Sequence, residues 1–262
     1  MTALEMRLYP VGELYAGDLL FPIQRAAEVL HAWRAWTATV PDEVSSQGRL
    51  VRLPPAPQLP GPLRGRAFVK VEAAYLGDAG TGAELTQPLR GLGPELDTFA
   101  TIPPPALSQL HMDPDQPVPF QGAGAFLSDF PAAAIDALVG LAGPDADTLL
   151  ASVEVGHLGG ALARPAPGAG AQPSIDANYL LTAVGAMPAP DLAAAVHAQV
   201  RAVKDALGPW HAGYDYYNFE ETPAPASAVL PPASYRRLQE IKAAYDPAQM
   251  IISTHPVWSA RP

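Results

Sequence analysis

Tyr216 and Asn218 are the residues of this sequence whose types and spacing come closest to a chemical function. On an extended chain, residues two positions apart point to the same face. A phenol beside a carboxamide can orient a polar ligand, and a phenol with a lowered pKa can take a proton from a substrate hydroxyl group. The alternative is a strand with core tyrosines and a structural asparagine, and the spacing alone favours that alternative.

Motifs for several other chemistries are missing from the sequence. The chain has no cysteine, which excludes disulfides, cysteine-ligated metals, thiol catalysis and a cysteinyl link to a cofactor. It contains no P-loop, no dinucleotide-binding glycine fingerprint and no Gly-x-Ser-x-Gly elbow. The six histidines lack the paired spacing of a metal site, so we expect no metal.

The composition is typical of a globular protein with an acidic surface. Hydrophobic residues make up 48% of the 262 residues, and the formal net charge is −10. An acidic chain is a poor partner for nucleic acid or for an anionic membrane surface. The first residues do not form a signal peptide, and no apolar run reaches membrane length, so we expect a cytoplasmic protein.

Hydrophobic periodicity predicts the elements that must position the Tyr216–Asn218 pair. Alternating patterns predict strands at residues 3–9, 13–21, 44–53, 66–75, 97–102, 124–128, 148–158 and 178–186. We expect the first two strands to pair as a hairpin. Helical patterns are found at residues 22–36, 79–92, 131–141, 191–207 and 234–245.

Single helices that separate pairs of strands predict an α+β fold, with a mostly antiparallel sheet and helices packed on one face. In the strand at 66–75, Val69 and Val71 belong to the face that the helices cover, whereas Lys70 and Glu72 belong to the other. The alternative for those two charged residues is plain solvent exposure. Neighbouring strands can add further polar side chains to the same face, namely Arg49, His157 and Tyr179.

A second motif follows the Tyr-x-Asn segment in the last fifth of the chain, at Arg237, Leu238, Lys242 and Tyr245-Asp246-Pro247. These residues match the Arg-Leu-x-x-x-Lys-x-x-Tyr-Asp-Pro signature of berberine bridge enzyme-like oxidases, which are flavoenzymes with an FAD domain of the vanillyl-alcohol oxidase type. The resemblance extends over essentially the whole chain. It implies a substrate-binding cap domain at residues 1–208 and a C-terminal element at residues 209–262 that packs with the cap.

The resemblance also implies roles for individual residues. Asn218 would contact the isoalloxazine ring of FAD, and Tyr216 would be the catalytic base. In a cap domain the polar sheet face would cover the active site, which makes five residues candidates for substrate binding: Lys70, Glu72, His111, His157 and Tyr179. By residue type and position alone, the two histidines are ordinary loop or strand-end residues.

The chain departs from the family in one large respect, because the N-terminal FAD domain is missing. That domain would carry the pyrophosphate loops and the histidine segment that links the flavin covalently. We therefore do not expect the chain alone to hold FAD tightly. Either a separate FAD-domain polypeptide completes the enzyme, or the chain is a fragment, or it has lost catalysis.

The function expected from the resemblance is that of the C-terminal, substrate-binding part of an FAD-dependent oxidoreductase. The substrate would be a small organic molecule, either an alcohol or a sugar-like compound, that loses a hydride to the flavin. The alternative is a non-catalytic ligand-binding or assembly module derived from such an enzyme.

Overall fold

Eight strands form one antiparallel sheet in the computed structural model, which describes residues 3, 5, 6, 8, 10–113, 117–187 and 189–258. The strands are β1 (Leu14–Pro22), β2 (Val44–Arg52), β3 (Ala67–Tyr75), β4 (Leu96–Asp97), β5 (Ala100–Ile102), β6 (Phe120–Leu127), β7 (Leu150–His157) and β8 (Tyr179–Ala186). Their order across the sheet is β4-β1-β3-β2-β7-β8-β6, and β5 also pairs with β1.

Four helices pack against one face of this sheet: α1 (Ala26–Thr37), α2 (Ala79–Arg90), α3 (Ala132–Ala142) and α4 (Ala193–Ala206). Two more lie in the C-terminal part, α5 (Ala226–Val229) and α6 (Pro232–Tyr245). The predicted α+β fold, with helices on one face of an antiparallel sheet, is confirmed. Among the described residues, no helix has the length and apolar character needed to cross a membrane.

The main core lies between the sheet and these four helices. Val69 and Val71 of β3 point into it, and Trp33 of α1 is completely buried there. The Trp33 ring packs edge-on against Phe130 and Tyr179, with ring centres 6.4 and 5.9 Å apart. Burial of each large apolar side chain contributes about 1.5–3 kcal/mol, so this layer supplies most of the stability of the fold.

The predicted hairpin at the start of the chain is wrong. Both edges of β1 are occupied by later strands, β3 on one side and β4 with β5 on the other. Of the predicted strand at 3–9, Ala3, Glu5, Met6 and Leu8 lie in no strand, and residues 4, 7 and 9 lie outside the described residues. The apolar alternation is misleading here because Met6 and Leu8 are 69% and 79% exposed.

The chain after residue 208 packs against the edge strand β6. The amide of Ala212 donates to the carbonyl of Phe126 at 2.8 Å, and the carboxylate of Glu221 accepts from the amide of Gly122 at 2.9 Å. These bonds connect the C-terminal part to an edge that would otherwise be unpaired. The exact division between two domains at residue 208 stays a prediction.

Gly17 of β1 lies where the chain between β4 and β5 passes close by. A Cβ atom at this position would be 2.4 Å from the backbone nitrogen and Cα of Phe99. We expect Gly17→Ala to lower the free energy of unfolding by about 1–3 kcal/mol, because the methyl group would displace backbone. Urea unfolding measures this change. Gly12→Ala is the control, since a Cβ there meets nothing within 4 Å, and equal effects of both substitutions would contradict the prediction.

Candidate functional site

A cluster of buried charges occupies the sheet face opposite the helices, with Lys70 at its centre. The Lys70 side chain has no exposed surface. Its Nζ atom lies 3.1 Å from Asp18 Oδ1 and 2.9 Å from Glu72 Oε2, and it donates to the carbonyl oxygen of Leu110. A buried ammonium group is tolerated only when it is paired in this way, so these contacts hold β1, β3 and the segment around Leu110 together.

His111 extends this cluster towards the solvent and is 30% exposed. Its Nε2 atom lies 3.3 Å from Glu154 Oε2, and its Nδ1 atom lies 3.5 Å from Glu72 Oε1. The side-chain amide of Gln47 lies 2.8 Å from Nδ1 and must present its oxygen there when the ring is protonated, because a protonated ring only donates. The hydrogen bonds to Glu154 and then to Glu72 raise the pKa of His111 to about 9. The imidazole is therefore a cation at neutral pH and balances part of the acidic charge around it.

The two carboxyl groups beside Lys70 respond differently to burial. Burial raises the pKa of Asp18 to about 6, against the opposing influence of Lys70. Burial also acts to raise the pKa of Glu72, but the hydrogen bond to His111 and the charge of Lys70 outweigh it, and the pKa falls to about 2. Glu72 is therefore the carboxylate that carries the negative charge of this cluster most firmly.

The segment from Pro104 to His111 covers this polar face. Besides the contact of Leu110 with Lys70, the carbonyl of His111 accepts from Arg49 Nη1 at 2.7 Å, and Arg49 Nε donates to Ser152 Oγ at 2.7 Å. The structure thus brings together three of the predicted substrate-binding residues, Lys70, Glu72 and His111. Of these, His111 is the most accessible, and their role in substrate binding stays a prediction.

The other two predicted substrate-binding residues lie on the helix side of the sheet. The hydroxyl of Tyr179 is 2.9 Å from Thr37 Oγ1, and its ring belongs to the main core. The ring of His157 packs 6.0 Å from that of Tyr179, and burial lowers the pKa of His157. Placing both on the face of Lys70 was wrong, because they share the strand alternation of the inward-facing Val155 and Leu181.

A second site, the C-terminal cavity, contains the Tyr216–Asn218 pair. It has a volume of about 370 Å³. The described residues that line it are Ala171, Gln172, Tyr216, Tyr217, Asn218, Ala226, Leu230, Leu238, Ser253, His255 and Val257. Its size falls within the range of about 300–1,000 Å³ that is usual for small-molecule sites.

The two predicted residues meet in the lining of this cavity. Asn218 Nδ2 donates to the hydroxyl oxygen of Tyr216 at 3.2 Å. The segment does not form the strand of the alternative interpretation, since Tyr217–Phe219 is a 3-10 turn. Phe126 and Phe219 pack against the Tyr216 ring at 5.3 and 4.9 Å and hold it in place.

Sequence reasoning missed four polar residues of the cavity: Gln172, Tyr217, Ser253 and His255. Gln172 comes from the loop between β7 and β8, whereas His255 follows α6 and is 3% exposed. His255 was considered only as a possible metal ligand, and no spacing connects it to Gln172, which is far away in the chain. Within the described residues, no cluster of three or more histidine and acidic side chains is arranged to hold a metal ion.

The Tyr245-Asp246-Pro247 signature forms a turn after α6. The carboxylate of Asp246 accepts from the amides of Met250 and Ile251 at 2.7 and 3.0 Å and from Lys242 Nζ at 2.5 Å. This turn presents what we term the C-terminal apolar surface, formed by Tyr245 (86% exposed), Met250 (80%), Ile251 (71%) and Ile252 (89%). Apolar side chains exposed together in this way are typical of an interface.

Comparisons with known proteins detect similarity in structure alone. No protein-family model matches the chain, and no curated protein sequence is significantly similar to it. Solved structures match over 96% of the chain: BBE-like 1 from Physcomitrella patens (TM-score 0.76, 15% identity), a chitooligosaccharide oxidase (0.74, 14%) and the xylooligosaccharide oxidase from Myceliophthora thermophila C1 in complex with xylobiose (0.72, 16%).

The chain has the fold of one part of a berberine bridge enzyme-like oxidase. It spans 55–56% of the length of the three matching structures. The resemblance predicted from the sequence is confirmed at the level of the fold, including the antiparallel sheet of the cap domain. Identities of 14–16% establish a common fold but not a common substrate.

The raised pKa of His111 makes the stability of the protein depend on pH. Its value of about 9 in the folded state exceeds the ordinary value of 6.5, so folding binds a proton between these two values. The resulting stabilisation is complete below pH 6.5 and is lost as the pH rises through 9. We expect a loss of about 1–3 kcal/mol over this interval.

This pH dependence is measured by urea unfolding of the wild type and of His111→Gln from pH 6 to 10. The free energy of unfolding of the variant should not decrease over this pH range, because glutamine does not titrate. His197→Gln is the control and should retain it, since His197 on α4 is outside the charge cluster. A decrease of the same size in His111→Gln would show that other groups cause it.

Proposed function

We propose that this chain is the C-terminal, substrate-binding part of an FAD-dependent oxidoreductase. The substrate is a small organic alcohol or sugar-like compound that transfers a hydride to the flavin. The observation that carries the proposal is the hydrogen bond from Asn218 to Tyr216 in the lining of a cavity of about 370 Å³. The fold shared with berberine bridge enzyme-like oxidases supports it.

The residues around Asn218 fit the ring end of a flavin. The Asn218 side chain is exposed, and because its Nδ2 atom is bonded to Tyr216, its carbonyl oxygen can accept from a ring N–H group. Tyr217 and Phe219 on either side are each 41% exposed and can pack against a planar ring. When bound, FAD supplies the hydride acceptor.

The pyrophosphate end of FAD requires a separate flavin domain, because the sequence has no glycine-rich phosphate loops. The chain covers about half of the similar structures, so that domain belongs either to a partner polypeptide or to the rest of a longer protein. The C-terminal apolar surface fits such a domain, since Met250 and Ile252 are 80% and 89% exposed. FAD would then lie between the flavin domain and the cap.

Tyr216 would take the hydroxyl proton of the substrate. Its oxygen accepts a hydrogen bond from Asn218, and this bond fixes the position of the group that would take the proton. The packed rings of Phe126 and Phe219 fix the direction of the phenol. The contribution of this chain is therefore a positioned base and an oriented substrate.

We expect Tyr216→Phe to lower the turnover of the chain combined with a flavin domain by about 10²–10⁴-fold, because the proton acceptor is lost while the ring remains. The flavin absorbance spectrum should not change. Tyr235→Phe is the control, since Tyr235 does not line the cavity, and it should keep wild-type turnover. Equal turnover of wild type and Tyr216→Phe would eliminate Tyr216 as the base.

A non-catalytic ligand-binding or assembly module is the second candidate function. It is favoured by the closure of the polar sheet face, where Lys70 is fully buried under the segment that ends at His111. The two functions are distinguished by adding FAD and a flavin domain to the chain and testing a panel of alcohols and sugars. Flavin reduction under anaerobic conditions supports the oxidoreductase, and stable assembly without reduction supports the module.

A further inference from the structure

We infer that His255 and Gln172 form a hydroxyl-binding pair in the C-terminal cavity, and that the cavity takes a small uncharged molecule with one hydroxyl group on an apolar body. Tyr216 and Asn218 line the same cavity. As an assignment of the substrate class, this inference rests on the proposed function. As a binding site, it is independent of any flavin.

The first observation is the free ring nitrogen of His255. The Nδ1 atom lies 3.0 Å from the carbonyl oxygen of Ala224, and since a carbonyl only accepts, Nδ1 carries the hydrogen. In the neutral ring, Nε2 is then an acceptor. Among the described residues nothing donates to Nε2, although the side chain lines the cavity and the residue is 3% exposed. A ligand hydroxyl can fill this position.

The second observation is the amide of Gln172. Its Nε2 atom is buried and has no hydrogen-bond partner among the described residues. A buried polar group without a partner is destabilising, so a ligand oxygen at this position would relieve an existing penalty. A hydroxyl group both donates and accepts, which allows one ligand to serve His255 and Gln172.

The rest of the lining selects against charge and against many hydroxyl groups. The lining described for this cavity includes no aspartate, glutamate, lysine or arginine, and five of its residues are aliphatic: Ala171, Ala226, Leu230, Leu238 and Val257. An ion would lose its hydration here without gaining a partner. Of the other polar residues in the lining, Asn218 already donates to Tyr216, and Ser253 already donates to the His255 carbonyl. A sugar would therefore bring more hydroxyl groups than the lining has free partners for.

The acceptor nitrogen is held in position before any ligand binds. The His255 ring is fixed at Nδ1 by Ala224, and the Tyr217 ring packs against it edge-on at 4.9 Å. The Ser253 hydroxyl also donates to the His255 carbonyl at 3.0 Å. A fixed acceptor loses little entropy on binding, which favours a directional hydrogen bond to the ligand.

The inference is tested with six-membered carbon rings that differ in their polar groups. Binding to the purified chain, without flavin, is measured by NMR titration with cyclohexanol, cyclohexyl methyl ether, cyclohexylamine and myo-inositol. Cyclohexanol should bind most tightly. The ether lacks the donor for His255 and should bind about 2–10-fold more weakly, and the charged amine and the polyol should bind more weakly still.

Two substitutions connect this preference to the named residues. His255→Phe should weaken cyclohexanol binding by about 2–10-fold and remove its advantage over the ether, because the acceptor is gone while a ring remains. Gln172→Met should weaken binding of both ligands to a similar extent. His197 and Gln58 do not line the cavity, so the control variants His197→Phe and Gln58→Met should bind cyclohexanol as the wild type does. If circular dichroism shows that His255→Phe is unfolded, Gln172→Met decides.

Three outcomes overturn the inference: no cyclohexanol binding, binding that neither variant weakens, or myo-inositol binding as tightly as cyclohexanol. Because no flavin is present, these outcomes leave the hydride-transfer proposal standing. Conversely, cyclohexanol binding that both variants weaken supports the hydroxyl-binding pair even if the complex with a flavin domain oxidises nothing. The two failures are therefore distinguishable.

Discussion

The ammonium group of Lys70, with no exposed surface, is the constraint on which the polar half of this structure depends. A buried charge is stable only when partners replace the water it has lost. Asp18 of β1, Glu72 of β3 and the Leu110 carbonyl provide that replacement. Two strands and a covering segment thus converge on one nitrogen atom, and loss of any one partner would leave charge or polarity buried without compensation.

The consequence for function is that the sheet has two covered faces. The helices cover one with an apolar layer around Trp33. The segment that ends at His111 covers the other, where its carbonyl groups accept hydrogen bonds from Lys70 and Arg49. A ligand therefore meets little of the polar sheet face. The accessible chemistry lies at the C-terminal cavity, where Gln172, Tyr216 and His255 come from three separate parts of the chain.

The C-terminal part combines firm attachment with an exposed apolar surface. Lys204 of α4 bonds to Asp215 at 3.1 Å and to Glu220 at 3.2 Å, on either side of the Tyr216–Asn218 pair. Partly buried ion pairs of this kind fix the orientation of the segments that they join, and they add little to the free energy of unfolding. They hold the cavity lining against the cap, while Ile252 and its apolar neighbours remain exposed on the outside.

Local pattern alone was sufficient for the order of most strands and helices after residue 13 and for the two faces of β3. Val69 and Val71 alternate with Lys70 and Glu72, and strand geometry turns that alternation into opposite faces. The signature that ends in Asp246-Pro247 could also be recognised in the sequence, since Asp246 contacts residues only four and five positions further along the chain. Contacts between residues that are close in the chain can therefore be predicted from the types of those residues.

Tertiary structure decided what covers each face and which distant residues meet. The alternation around Lys70 could not show burial, because the covering carbonyl of Leu110 is 40 positions away in the chain. Nor could it join Gln172 to His255. Such contacts depend on the path of the whole chain, and local periodicity specifies the direction of a side chain but not what lies opposite it.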